Sequence, residues 1–134
     1  MRRSADEVRW LVISAGAAAV VELLLRTSTL STTARVLHLQ VLTDGAAAPY
    51  RQEPLPRWAG PRLRSVDRVV RRWPWGDTCL RRSLLTAVAL RPVSPLVRIG
   101  WQPTSQGGNA HAWVEVDGGS LEAGLEGVLP FNVR

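Results

Sequence analysis

Ala110-His111-Ala112-Trp113-Val114-Glu115-Val116, followed by Asp117-Gly118-Gly119, is the stretch that decides the fold. β-Branched and aromatic residues dominate it, and an Asp-Gly pair closes it, which reads as a half-buried strand entering a tight hairpin turn. Strand alternation puts His111, Trp113 and Glu115 on one face and Ala110, Ala112, Val114 and Val116 on the other. The second set is wholly apolar and faces a core. The first carries polar groups and has to border something that tolerates them, such as the edge of a site. Ser120 to Ala123 is the expected returning strand, and Leu96 to Trp101 an earlier one.

Upstream of these strands the pattern is helical. Asp77 or Thr78 can cap a helix that begins near Cys79 and ends near Leu90, with Leu80, Leu84, Leu85 and Val88 as its buried stripe. Before it, Arg62 to Trp73 sets Leu63, Val66, Val69 and Val70 against arginines on the opposite face, and Pro74 and Gly76 stop it. Residues 6 to 26 are rich in alanine and leucine and read as a first helix. Ser31 can cap a second, through about Leu42, stopped by Asp44-Gly45 and holding His38 as a partly buried structural residue. Pro49, Pro54, Pro56 and Pro61 mark residues 49–61 as a linker, so the expected division is a helical portion 1–48, the linker, and a core 62–134.

Composition narrows the class. The chain has 134 residues, 46% hydrophobic and 21% charged, which fits one folded domain or a core with a helical extension. All 17 basic residues are arginine, and residues 51–98 hold eleven of them against Glu53, Asp67 and Asp77. Such a run is ordinarily a solvated helix face; no aromatic-interleaved or zinc-finger spacing points to nucleic acid. One cysteine and two histidines assemble neither a disulfide framework nor a Cys/His zinc cluster. The apolar run Trp10 to Val21 is closed by Glu22 and is shorter than the roughly 20 residues of a bilayer span. A cytoplasmic protein without membrane contact is therefore expected.

Cys79 and His111 are the residues that can carry chemistry. A thiol in the first turn of a helix meets the positive end of the helix dipole and unpaired amides, which favour the thiolate and can also hold an oxyanion. Arg81 and Arg82 push the same way if they face it. An imidazole on a neighbouring strand is the base such a thiolate needs. Residue type alone leaves a second reading open, in which Cys79 is a small core hydrophobe and His111 structural.

The set Thr78-Cys79-Leu80-Arg81-Arg82-Ser83-Leu84, Arg98-Ile99-Gly100 and His111-Ala112-Trp113-Val114-Glu115-Val116-Asp117-Gly118 resembles the leader peptidases of lasso-peptide biosynthesis, members of the transglutaminase-like superfamily of papain-type cysteine peptidases. The resemblance covers residues 73 to 134. It implies an α+β, papain/transglutaminase-like core with a small antiparallel sheet, preceded by N-terminal helices. It also implies a Cys79 nucleophile, a His111 base, and removal of the leader from a ribosomally made precursor, with no metal and no cofactor. The expected partners are the precursor peptide, a separate leader-recognition protein and, as a further candidate, the lasso cyclase. Members of that family carry an aspartate twelve residues after the histidine, and Ala123 stands there. Glu122 is the first candidate for the third member of the triad and Asp117 the second. The competing expectation is an inert or weakly active scaffold subunit of the maturation complex.

Overall fold

The computed structural model describes residues 5–43, 47–103, 105–125 and 128–130. Four α-helices come first: α1 (Ala5–Thr27), α2 (Leu30–Val36), α3 (Ala59–Arg71) and α4 (Cys79–Ala89). The strands are β1 (Gln40–Leu42), β2 (Leu96–Gln102), β3 (Asn109–Val116), β4 (Gly119–Ser120) and β5 (Leu129–Pro130). The class is α+β, as the sequence implies.

The sheet is built on the β2/β3 pair, antiparallel with Val97 opposite Val114 and Gly100 opposite His111. β4 continues antiparallel beyond β3. Asp117 and Gly118 make the connecting turn, both at positive φ (50° and 74°), the left-handed pair that a two-residue hairpin matched to strand twist requires. On the far edge of β2, β5 pairs at Gly100 and Trp101, and β1 pairs at residues 96–98. That last pairing is parallel, so the sheet is mixed rather than purely antiparallel.

β1 also corrects the expected second helix. α2 stops at Val36 because His38 adopts φ 55°. Its N–H bonds to Arg35 O and that of Leu39 to Ala34 O, the paired closure of a helix ending on a left-handed residue. His38 is exposed and serves as the helix stop, and the chain leaves it as a strand. The proposed Asp44-Gly45 stop lies outside the described residues. The returning strand is shorter than expected, because Ser120 Oγ accepts from Glu122 N–H at 3.0 Å and bends the chain out of the ladder.

One apolar core joins the layers. Ala18 and Val21 of α1, Val66 and Val70 of α3, Leu84 and Ala87 of α4, and Val97, Val114 and Val116 of the sheet pack together. α4 therefore lies on the face of β3 formed by Ala112, Val114 and Val116. Residues 49–61 are tied down rather than free: Ser120 N–H bonds to Pro49 O, Arg51 N–H bonds to Ser120 O, and Leu55 and Trp58 pack on the core. α1, of 23 residues, is the one helix among the described residues long and apolar enough to cross a membrane, an 18-residue stretch of it having a mean hydropathy of 1.9. Here one side of it packs on α3 and α4, while Val12, Val20 and Leu23 face outward.

Many of the central arginines are structural. Arg62 lies between the rings of Trp10 and Trp58 and donates to Ala89 O, Arg91 donates to Leu37 O, and Arg51 to Val116 O. The basic run is largely absorbed by the fold.

Candidate active site

Thr78 caps α4, its hydroxyl accepting from Arg81 N–H at 3.2 Å, so Cys79 is the first residue of the helix and its thiol is exposed. Asp77 is instead paired with Arg82. A thiol at this position meets the free amides of the first turn. The expected help from the neighbouring arginines is offset. Arg81 is bound by Glu22, and Arg82 by Asp67 (2.7 Å) and Asp77 (2.6 Å), so both guanidinium charges are matched by carboxylates.

α4 runs about 16 Å and packs on β3 and β2, which follow it after the short turn 90–95. Gly100 and His111 pair at the end of the sheet where β2 finishes and β3 begins. His111 sits on the β3 face turned away from the apolar stripe of α4. Its ring stacks on Trp113 with centroids 5.8 Å apart and planes 24° from parallel. Trp113 in turn is buried against Leu125 and Val128.

The imidazole has one strong partner, Glu122 Oε2, 2.5 Å from His111 Nε2. A carboxylate only accepts, so Nε2 bears the proton, and in the neutral ring Nδ1 is left with the lone pair needed to take a proton from a thiol. The His111 side chain is 20% exposed and that of Glu122 46%, so the pair sits at the rim and is open to a substrate. Asp117, the second candidate, is at the opposite end of β3, about 20 Å along the strand from His111, where it pairs with Arg51. The β3/β4 register, with Glu115 opposite Ser120 and Leu121 N–H bonded to Val114 O, sets Glu122 beside Trp113 on the histidine's face, within reach of the ring. The structure therefore brings together His111 and Glu122; among the described residues no hydrogen bond joins Cys79 to either.

The residues with these arrangements fall inside one recognised pattern, which matches residues 17–133 as the transglutaminase-like superfamily. The chain belongs to the transglutaminase-like superfamily. Its cysteine-peptidase-like fold follows, and the match takes in the C-terminal part of α1 as well as the helix, strand and hairpin from which the site is built. Comparison with curated proteins and with solved structures finds no match.

Two elements of this transglutaminase-like site escaped the sequence reading. Glu115, 3% exposed, accepts at one oxygen from Trp113 Nε1 (2.9 Å), Arg98 Nε (3.0 Å) and Ala48 N–H (3.0 Å), so it pins the tryptophan on which His111 rests. The alternation that placed it on the histidine face was the signal available. Gly100, opposite His111, admits the same tryptophan: a Cβ there would lie 2.8 Å from the Trp113 ring and 2.5 Å from Val128. A shallow cleft beside Glu122 is lined by Ala47, Ala48, Pro49, Tyr50 and Leu125. No group of three His, Cys, Asp or Glu side chains suited to a metal is found among the described residues.

Proposed function

We propose that the protein is a cysteine peptidase that removes the leader from a ribosomally synthesised lasso-peptide precursor in the cytoplasm, with Cys79, His111 and Glu122 as its catalytic triad. The observation that carries this reading is the His111–Glu122 hydrogen bond, which leaves Nδ1 as the base, together with the exposed thiol of Cys79 in the first turn of α4. Cys79 Sγ gives its proton to His111 Nδ1 and attacks the scissile carbonyl. Amides of the first turn of α4 hold the oxyanion, and the imidazolium, stabilised by Glu122, protonates the leaving amine. Water deprotonated by His111 then cleaves the thioester, returning the thiol and releasing the new carboxylate. The reading requires that substrate binding close the separation between the thiol and the imidazole, which no hydrogen bond among the described residues joins. The cleft beside Glu122 offers an apolar wall for a substrate side chain.

A separate leader-recognition protein would deliver the precursor, with the cyclase acting on the freed core peptide. The scaffold alternative drew its support from Ala123, where the family resemblance calls for aspartate; a carboxylate one position earlier on the imidazole weakens that support. The test is cleavage of a lasso precursor peptide by the purified protein with its recognition protein, read by mass spectrometry for the wild type and Cys79→Ala. A single defined cut lost in the variant supports the peptidase. Equal cutting by both would show the thiol is not the nucleophile, and no cutting by either, with the recognition protein bound, would favour the scaffold.

A further inference from the structure

A carboxylate in the apolar stretch of α1 has to be matched inside the fold. Glu22 is 5% exposed, and two of its three partners flank Cys79 in sequence. Oε1 accepts from Trp73 Nε1 at 2.8 Å, and Oε2 from Arg81 Nη2 at 3.0 Å and Arg26 Nε at 3.2 Å. Trp73 precedes Cys79 in the loop leading to α4; Arg81 follows it in the first turn. The clamp extends from there. Arg81 Nη1 donates to Trp75 O at 3.1 Å, the Trp75 ring lies 5.6 Å from that of Trp73, and Arg26 stacks over Trp75 at 4.9 Å. One carboxylate on a distant helix therefore fixes the chain on both sides of the thiol.

We infer that Glu22 is a positioning residue for the Cys79 thiol, holding the loop 72–78 and the first turn of α4 against α1 so that the sulfur meets its substrate in a fixed place. This rests on the reading of Cys79 as the nucleophile. The ion pair has a second consequence that separates positioning from plain stabilisation. Glu22 neutralises a guanidinium two residues from the thiol. Without it, Arg81 is an unmatched cation that favours thiolate. Loss of Glu22 thus loosens the geometry that acyl transfer needs while leaving the thiol at least as ready to react with a small reagent.

The experiment uses two probes on the full chain, at a temperature where circular dichroism shows every variant folded. Iodoacetamide reads thiolate alone; p-nitrophenyl acetate hydrolysis reads acylation and deacylation. Glu22→Gln is expected to lower kcat for the ester about tenfold or more, since small misplacements of a reacting group are costly. Its alkylation rate at pH 7 should be unchanged or raised. Glu22→Asp, which keeps the charge, should recover part of kcat. Trp73→Phe removes one donor without the charge and, should Glu22→Gln fail to fold, is expected to lower kcat while sparing alkylation. Ester hydrolysis by Glu22→Gln within twofold of the wild type would overturn the inference, as would an alkylation rate falling in step with kcat. Undiminished ester hydrolysis by Cys79→Ala would instead remove the nucleophile reading, and the inference with it.

Discussion

Replacing Glu22 by glutamine should cost stability at neutral pH and almost none in strong acid. In the folded protein the hydrogen bond from Arg81, with those from Trp73 and Arg26, outweighs burial and lowers the Glu22 carboxyl from 4.5 to about 2. A group depressed on folding stabilises the native state above its unfolded value, and that contribution fades as the pH falls through the folded value. At about 1.4 kcal/mol per pH unit, the drop is worth on the order of 3 kcal/mol, present above about pH 5 and mostly gone near pH 2. Glutamine mimics the protonated acid, so the difference between wild type and Glu22→Gln isolates this group. Asp67, lowered mainly by its hydrogen bond from Arg82, loses stability in the same direction but does so in both proteins and cancels. The assay is urea unfolding followed by tryptophan fluorescence at intervals from pH 2 to pH 7. A gap of about 3 kcal/mol at pH 7 closing toward zero at pH 2 is expected. A gap that stays constant over that range, or none at pH 7, would refute the reasoning.

Further outcomes can be checked on the same material. Gly100→Ala forces a methyl against Trp113, Val128 and Leu129 O, so it should destabilise by about 1–3 kcal/mol in urea unfolding and lower ester turnover by shifting the support of His111. Glu122→Gln should cut kcat by about 10²-fold or more, through loss of the carboxylate that supports imidazolium, whereas Asp117→Asn, at the other end of the strand, should leave kcat within twofold of the wild type. His38→Gly places the residue suited to φ 55° at the end of α2 and should raise stability by about 0.5–1 kcal/mol in a thermal melt, with activity unchanged.

The sequence made some features legible because their causes are local. Alternation and the Asp-Gly pair announced β3 and its hairpin, and Thr78 before Cys79 announced the start of α4. Glu122 was legible as the neighbour of Ala123, although its hydrogen bond to the imidazole, a tertiary contact, was not. What stayed hidden depends on distant pairing. β1 is three residues long, too short to carry a period, and exists because Gln40 to Leu42 find residues 96–98. The left-handed turn at His38 leaves no signature in a histidine flanked by leucines. Glu22 and Arg81 are 59 residues apart, so in sequence the glutamate reads only as the end of an apolar run. The arginine run looked like a charged surface because stacking on Trp10 and Trp58 and bonds to carbonyls are tertiary facts.

The central claim is that Cys79 and His111 act as one unit, and the most direct test is the rate of Cys79 alkylation by iodoacetamide in wild type and His111→Ala. If the imidazole draws the thiol proton, the wild type should react about tenfold or more faster at pH 6, and the two rates should converge near pH 10, where bulk base ionises the thiol in both. Equal rates at pH 6 would contradict the account, because the histidine would then have no hold on the thiol.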